Sequence, residues 1–413
     1  MAEHASPPGP QSRLLDRTTP PHILTLVLIA GIGALNMNIF LPSLPGMAVW
    51  FEADYATVAL AISAYLGVTA VLQLVIGPLS DRYGRRPVML GSLAGFVAAT
   101  IGCYLSTTIE AFLAFRFVQA VIASGFVLSR AVVRDMVGPD QAASMIGYVT
   151  MGMSLVPMLG PILGGQLDAA FGWHGSVAIL IVSGIAVLVL VWADMGETNR
   201  TRSASFAAQF RAYPELLVSR RFWGYTAVTT FASGAFFAFL GGGPFVASVI
   251  LGLSPEALGF YFAFIAGGYM FGNFLSGRFA ARIGLNTMML TGAAIATTGT
   301  AVSAVLFGVG VVHPMALFGP MFLVGMGNGM TLPSANAGIV SVRPHLAGSA
   351  SGLSGALMIG GGAALSWVTG MLLSEESGVW PMLVIMLTAS ILSGVASLYV
   401  IARGRKVGAL AAE

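Results

Sequence analysis

The chain has 413 residues, of which 56% are hydrophobic and only 8% charged, with a formal net charge of +3. Soluble domains carry roughly 25% charged residues, so an ordinary water-facing fold is excluded, and so much apolar content equally excludes a disordered chain. The composition is that of a polytopic helical membrane protein, whose cations flank membrane spans and call for no nucleic-acid partner.

In chain order, residues Met1 to Pro21 are polar and proline-rich and read as a disordered tail. The apolar run that follows is too long for a signal-peptide core and reads as the first permanent span. Eleven further runs follow, giving spans at 22–44, 56–78, 88–107, 110–134, 141–166, 174–194, 223–248, 256–277, 286–309, 314–338, 346–373 and 379–402. Each is long enough to cross about 30 Å of hydrocarbon, and each must satisfy its own backbone, so all twelve are expected to be helices. With the N-terminus placed in the cytoplasm, the interior segments hold every one of the 19 basic residues except Arg116 and Arg130. That asymmetry puts both termini in the cytoplasm. The interior segment 195–222 then serves as a cytoplasmic linker between bundles at 22–194 and 223–402, and 403–413 is a second tail.

Span 1 carries Asn36 and Asn38 just before Leu41-Pro42. They either hydrogen-bond between helices or line a polar cavity. Between spans 2 and 3 stands the densest charge in the chain, Gly77-Pro78-Leu79-Ser80-Asp81-Arg82-Tyr83-Gly84-Arg85-Arg86-Pro87, which reads as a short loop. Gly84 can take positive φ there, and Asp81 and Arg85 are spaced to share one face of a helical turn. Its arginines either fix orientation or form a gate. Along span 4, Arg116, Gln119, Arg130 and Arg134 fall on one stripe, 116 and 130 being about 40° apart at 3.6 residues per turn. Charges at that depth are expected to face a water-filled cavity or a partner, although Arg130 could instead snorkel to the inner surface. Asp135 follows as a partner for one of the arginines. In span 5, Gly160 and Gly164 form a stripe for close helix approach, Pro161 loosens the helix, and Gly165 follows; ordinary close packing accounts for the pattern equally well.

The second half repeats the first at an offset of 196: Leu79-Ser80 on Leu275-Ser276, Arg82 on Arg278, Arg86 on Arg282, and Gly164-Gly165 on Gly360-Gly361. Span 7 is crowded with Phe231, Phe236, Phe237 and Phe239, which suit either a cavity for apolar molecules or plain packing. The one cysteine, Cys103, lies within a span, and no histidine pair has metal-ligand spacing. No phosphate-binding loop is present either, so neither a metal nor an enzymatic activity is expected.

Gly77 to Arg86 resembles, without a mismatch, the first signature of the major facilitator superfamily, Gly-x-Leu-Ser-Asp-Arg-x-Gly-Arg-Arg. More narrowly, residues Gln73 to Asp81, Arg116-Phe-Val-Gln119 and Arg130-Ala-Val-Val-Arg134-Asp135 resemble the Bcr/CflA group of bacterial drug-resistance exporters. Gly160 to Gly165 is similar to an antiporter signature, with Gly147 matching an upstream glycine and Val156 standing where another is expected. The resemblance implies an all-α fold of two six-helix bundles. It implies a monomer in the bacterial inner membrane that exports small apolar drugs or metabolites, phenicol- or bicyclomycin-like, by alternating access. The energy source would be the proton gradient, with no bound cofactor. Gly77, Asp81, Arg82, Gly84, Arg85, Arg86 and Asp135 would form the cytoplasmic gate. Asn36, Asn38, Arg116, Gln119 and Arg130 would serve the cavity or coupling, and the span 5 glycines a moving seam. One departure stands out: many of the group carry an acid where this chain has Asn38, and no Asp or Glu stands near the middle of any span. A carrier of an anionic metabolite with the same fold, and a non-transporting membrane sensor, stay open as alternatives.

Overall fold

The computed structural model describes residues 12–137, 145, 149, 156–199, 213–343 and 346–410, and the described residues are helical apart from short turns and connecting segments. Among the described residues, eleven helical spans are long and apolar enough to cross a bilayer. The first half contributes span 1 (Ile23–Trp50), span 2 (Tyr55–Tyr83), span 3 (Arg85–Leu105), span 4 (Ile109–Met136) and span 6 (Trp173–Asp194). The second half contributes span 7 (Arg220–Ile250), span 8 (Pro255–Ile283), span 9 (Leu285–Gly308), span 10 (Pro314–Val342), span 11 (Ala347–Leu372) and span 12 (Trp380–Leu410). Helix Val156–Phe171 is the described part of span 5. Residues 138–144 and Gly147, like 200–212 of the expected linker, lie outside the described residues.

Three expectations change. The charge-rich stretch is not a loop: span 2 runs unbroken through Pro78, Asp81 and Arg82 to Tyr83, and span 3 begins at Arg85. Gly84 alone makes the turn, at φ 103°, and its N–H closes the last turn of span 2 on the Ser80 carbonyl. A side chain is strained at that angle, so one glycine does what a loop would otherwise do. The N-terminal tail is not disordered from residue 12 onward, because the stretch before span 1 is hydrogen-bonded to the end of span 6. At the other terminus, the last span continues as helix to Leu410 rather than ending at 402.

The repeat is real in shape but sits in a different register. Spans 2 and 8 have 29 residues each and end on Gly84 and Gly284, both with positive φ, so the halves correspond at an offset of 200 rather than 196. Both spans also begin on a side-chain cap, Asp54 for one and Ser254 for the other. In that register Arg85 becomes Leu285 and Arg86 becomes Asn286. The second half keeps the turn and loses the cations that the first half uses.

The two halves meet along spans 2 and 11 and along spans 5 and 8. The end of the bundle bearing Arg82, Arg85, Arg86 and Arg343 is termed the basic end. At the opposite end the halves are shut. The Tyr55 hydroxyl donates to the Gly241 carbonyl at 2.9 Å, and the Tyr55 ring lies 5.0 Å from that of Phe245. A methyl group at Gly370 would stand 3.2 Å from that of Ala59, one at Gly165 would collide with the Pro255 carbonyl, and one at Gly259 with the Pro161 carbonyl. Glycine at these positions lets backbone lie against backbone, which is how helices associate when lipid offers no hydrophobic drive.

Candidate functional site

The basic end is held by two reciprocal caps. Glycine at position 84 has no side chain with which to cap span 3, so the orphan N–H groups of that helix need an acceptor from elsewhere. Glu197, three residues beyond span 6, supplies it, accepting from Arg85 N at 2.9 Å and Arg86 N at 3.3 Å. In return, Arg86 donates to the orphan carbonyls at the end of span 6, Met195 at 2.6 Å and Trp192 at 3.0 Å. An anion sits on a helix N-terminus and a cation on a helix C-terminus, each favoured by the helix dipole. Arg85 turns inward instead, its guanidinium shared between Asp81, Ser80 and Asp135, with Nε 2.9 Å from Asp135 Oδ2. Its side chain is 10% exposed, against 41% for Asp81 and 24% for Asp135, so it bridges spans 2 and 4 from beneath. Asn199 adds a bond to the Asp81 carbonyl at 2.9 Å. Arg82 projects into the open over the Tyr83 ring, and Gly77 has free space beside it.

Asn36, Arg116 and Gln119 come together in the core of the first half. Span 1 breaks after Asn38 because Pro42 and Pro45 cannot donate to the preceding turn, and the chain passes through a 3-10 turn, Leu41–Ser43, before resuming as helix. The last turn before that break has spare carbonyls and the negative end of a helix dipole. Arg116, 2% exposed, fills the position. It donates to the Asn36 carbonyl at 3.0 Å, Asn36 Oδ1 at 2.7 Å, the Ala61 carbonyl at 3.1 Å and Gln119 Oε1 at 2.6 Å. Its two faces are covered by Phe40 and Tyr65, 4.2 and 4.3 Å from the ring centroids. Asn36 donates on to the Tyr65 hydroxyl, and Gln119 to Thr100. A buried guanidinium without a carboxylate is thus tolerated by four oxygen acceptors, two π faces and a helix terminus. The group ties spans 1, 2, 3 and 4 together and offers little to a cargo.

Asn38 is turned away from that network, donating to the Ala34 carbonyl at 2.7 Å, and its Cβ lies 3.3 Å from where a methyl at Gly160 would stand. One turn along, Gly164 packs on the Ile39 carbonyl so tightly that no side chain fits. Span 5 therefore lays Gly160 and Gly164 against the break in span 1. Pro161 and Gly165 contact span 8 of the other half. Arg130 stands apart from all of this. Its guanidinium lies over the Phe126 ring at 4.0 Å, and its Nε is sealed from solvent without a hydrogen-bond partner among the described residues. Arg116 and Arg130 both lie on span 4 but in different environments.

Comparison with known proteins fits this arrangement. The family model described as Major Facilitator Superfamily matches residues 26–367. The chain belongs to that superfamily. Within it, the chain is 31% identical over 379 residues to the uncharacterized MFS-type transporter YdgK of Bacillus subtilis, covering 90% of this chain and 93% of that one. It is 28% identical to a chloramphenicol resistance protein of Pseudomonas aeruginosa, covering 86% and 85%. In shape it resembles a bacterial homolog of the human lysosomal transporter Spinster, captured inward-facing and occupied, with a TM-score of 0.73 at 15% identity and coverage of 93% and 96%. The protein is a multi-pass membrane transporter of small molecules, not an enzyme.

Two residues of this superfamily member escaped the sequence reading. Glu197 was passed over as linker; the signal was the uncapped glycine at 84, which demands an anion from outside the turn. Asp194, fully buried at the end of span 6, accepts from Leu15 N at 2.7 Å, His22 N at 2.9 Å and Thr25 Oγ1 at 2.6 Å. It pins the segment before span 1, helped by Gly196 N on the Thr19 carbonyl at 3.1 Å. The phenylalanines of span 7 are largely packing: Phe239 is fully buried against Phe262 and Phe318, and Phe237 lies on Gly362.

Proposed function

We propose that this transporter sits in the bacterial inner membrane with both termini in the cytoplasm and exports small, largely apolar, neutral drugs of the phenicol kind by alternating access, driven by the proton gradient. The observation that carries the reading is the uneven joining of the halves. At the end opposite the basic end they meet through the Tyr55 hydroxyl, its ring contact with Phe245 and close backbone contacts, with no ion pair among the described residues. The polar clasp of the basic end (Arg85, Arg86, Asp81, Asp135, Glu197) lies inside the first half and moves with it as one body. Two such bodies can rock about a central cleft, and the glycine seam of span 5 gives the smooth surface over which one slides. A neutral cargo fits a chain with no acid near the middle of any span and with a relative named for chloramphenicol resistance.

For coupling, Asp135 is the acid best placed. It shares Arg85 with Asp81. A proton on Asp135 removes the charge that draws Arg85 toward span 4 and leaves the guanidinium to Asp81 and Ser80, loosening span 2 from span 4 at the gate. Proteoliposomes with an imposed pH difference and labelled chloramphenicol test the reading. Wild type should concentrate the drug, whereas Asp135→Asn should only equilibrate it. Uphill transport by Asp135→Asn under a pH difference alone would remove Asp135 from coupling, and no pH-driven transport by wild type would refute proton-driven export.

A further inference from the structure

Arg130 is a half-buried cation with no acidic partner among the described residues. Two arginines, Arg130 and Arg221, keep an Nε sealed from solvent with no hydrogen-bond partner among the described residues, whereas Arg116 has four acceptors, Arg85 two carboxylates and Arg86 two carbonyls. Around Arg130 the groups in electrostatic reach are Arg134, one turn further along span 4, and the hydroxyl of Tyr269 on span 8 of the other half. Neither Arg130 nor Arg134 has an acidic partner among the described residues, and the nearest acid in sequence, Asp135, is held by Arg85. Arg134 itself reaches toward Gly348 of span 11, so the pair lies where the two halves face each other. The Phe126 ring closes one face of the Arg130 guanidinium and leaves its unpaired Nε among aromatic groups. Two positive charges, an aromatic floor, a phenol from the opposite half and no acid among the described residues give this corner a definite chemistry.

We propose that Arg130, with Arg134 and Tyr269, forms a binding site for the carboxylate of a small aromatic acid, a class of cargo beyond neutral drugs. The carboxylate would accept from the fork of Arg130, its aromatic body would lie along Phe126, and the Tyr269 hydroxyl would donate from span 8. Because the site draws on both halves, an anion in it ties span 4 to span 8. The proposal rests on the transport reading for its physiological sense, but binding can be measured without transport.

The test is binding of 1-naphthoate and its neutral isostere 1-naphthamide to the full-length protein in nanodiscs, by calorimetry. Wild type should prefer the acid by at least tenfold, roughly what a charge-assisted hydrogen bond confers. Arg130→Gln should abolish the preference, and Arg130→Lys, which keeps the charge but not the fork, should retain part of it. Should Arg130→Gln fail to fold, the wild-type pair and Arg130→Lys still decide. Equal binding of acid and amide by wild type, or a preference that survives Arg130→Gln, overturns the site. Phenicol export with no acid preference strikes this site alone, whereas an Arg130-dependent preference in a protein that moves no phenicol strikes the exporter reading and leaves the site standing.

Discussion

Replacing Arg116 by methionine separates a structural cation from one that touches cargo. Methionine keeps the length and apolar stem of the side chain and can still pack between Phe40 and Tyr65, so the loss is chiefly of hydrogen bonds. Four acceptors lose their donor: the carbonyls of Asn36 and Ala61, Asn36 Oδ1 and Gln119 Oε1. Hydrogen bonds within membrane proteins contribute about 0.6–1.7 kcal/mol each, which for four bonds brackets the total at roughly 2–7 kcal/mol. The two amide side chains can turn to other donors, and the cost of burying a charge is recovered. Both effects pull the value toward the lower half of that range, about 3 kcal/mol. The assay is unfolding of the purified protein in mixed micelles with increasing dodecyl sulfate, with transport of the folded fraction measured beside it. Arg116→Lys, which keeps the charge but cannot reach four acceptors, should fall in between. A loss below about 1 kcal/mol with transport abolished would show that Arg116 serves the cargo and refute the helix-break account.

Glu197→Ala should cost about 1 kcal/mol, the usual loss of an N-cap, and Glu197→Gln should recover about half, read from the same unfolding titration; no effect would mean the cap is idle. Gly164→Ala should impair folding or insertion outright because its methyl has nowhere to go against the Ile39 carbonyl. Gly77→Ala, beside open space, should be tolerated, and the two can be compared by the yield of monodisperse protein.

The fold was legible because the hydrocarbon forces it: apolar runs of sufficient length must be helices, and cations must gather at one end of them. What the sequence misplaced were details set by single residues. The stretch 77–87 looks like a loop because charge and glycine usually mean one, yet a single positive-φ glycine turns the chain and the charges are carried on helix ends. The repeat was sought at the wrong offset, whereas the cap glycines 84 and 284 keep the register, with Arg82 falling on Arg282 while Arg85 and Arg86 find no counterpart. The span 4 stripe was reckoned at 3.6 residues per turn, although a 3-10 turn at Ala120–Ile122 interrupts that period, and periodicity cannot say what covers each height. Only the break in span 1, itself written in Pro42 and Pro45, decides that Arg116 is roofed over while Arg130 is not. Glu197 and Asp194 could not be valued from sequence because their partners are backbone N–H groups 112 and 179 residues away.

Rocking of the two halves is the central claim, and a reversible lock on the shut end tests it most directly. A methyl at Gly370 would lie 3.2 Å from the Ala59 methyl, close to the Cβ separation of a disulfide, so Ala59→Cys with Gly370→Cys should cross-link spans 2 and 11 after slight adjustment. The natural Cys103 is buried, and Cys103→Ser removes it from the background. In that background, oxidised double-cysteine protein in proteoliposomes should bind drug and fail to carry it across the membrane, and reductant should restore transport to the level of the unlocked protein. Wild-type rates from fully cross-linked protein would contradict alternating access through this end.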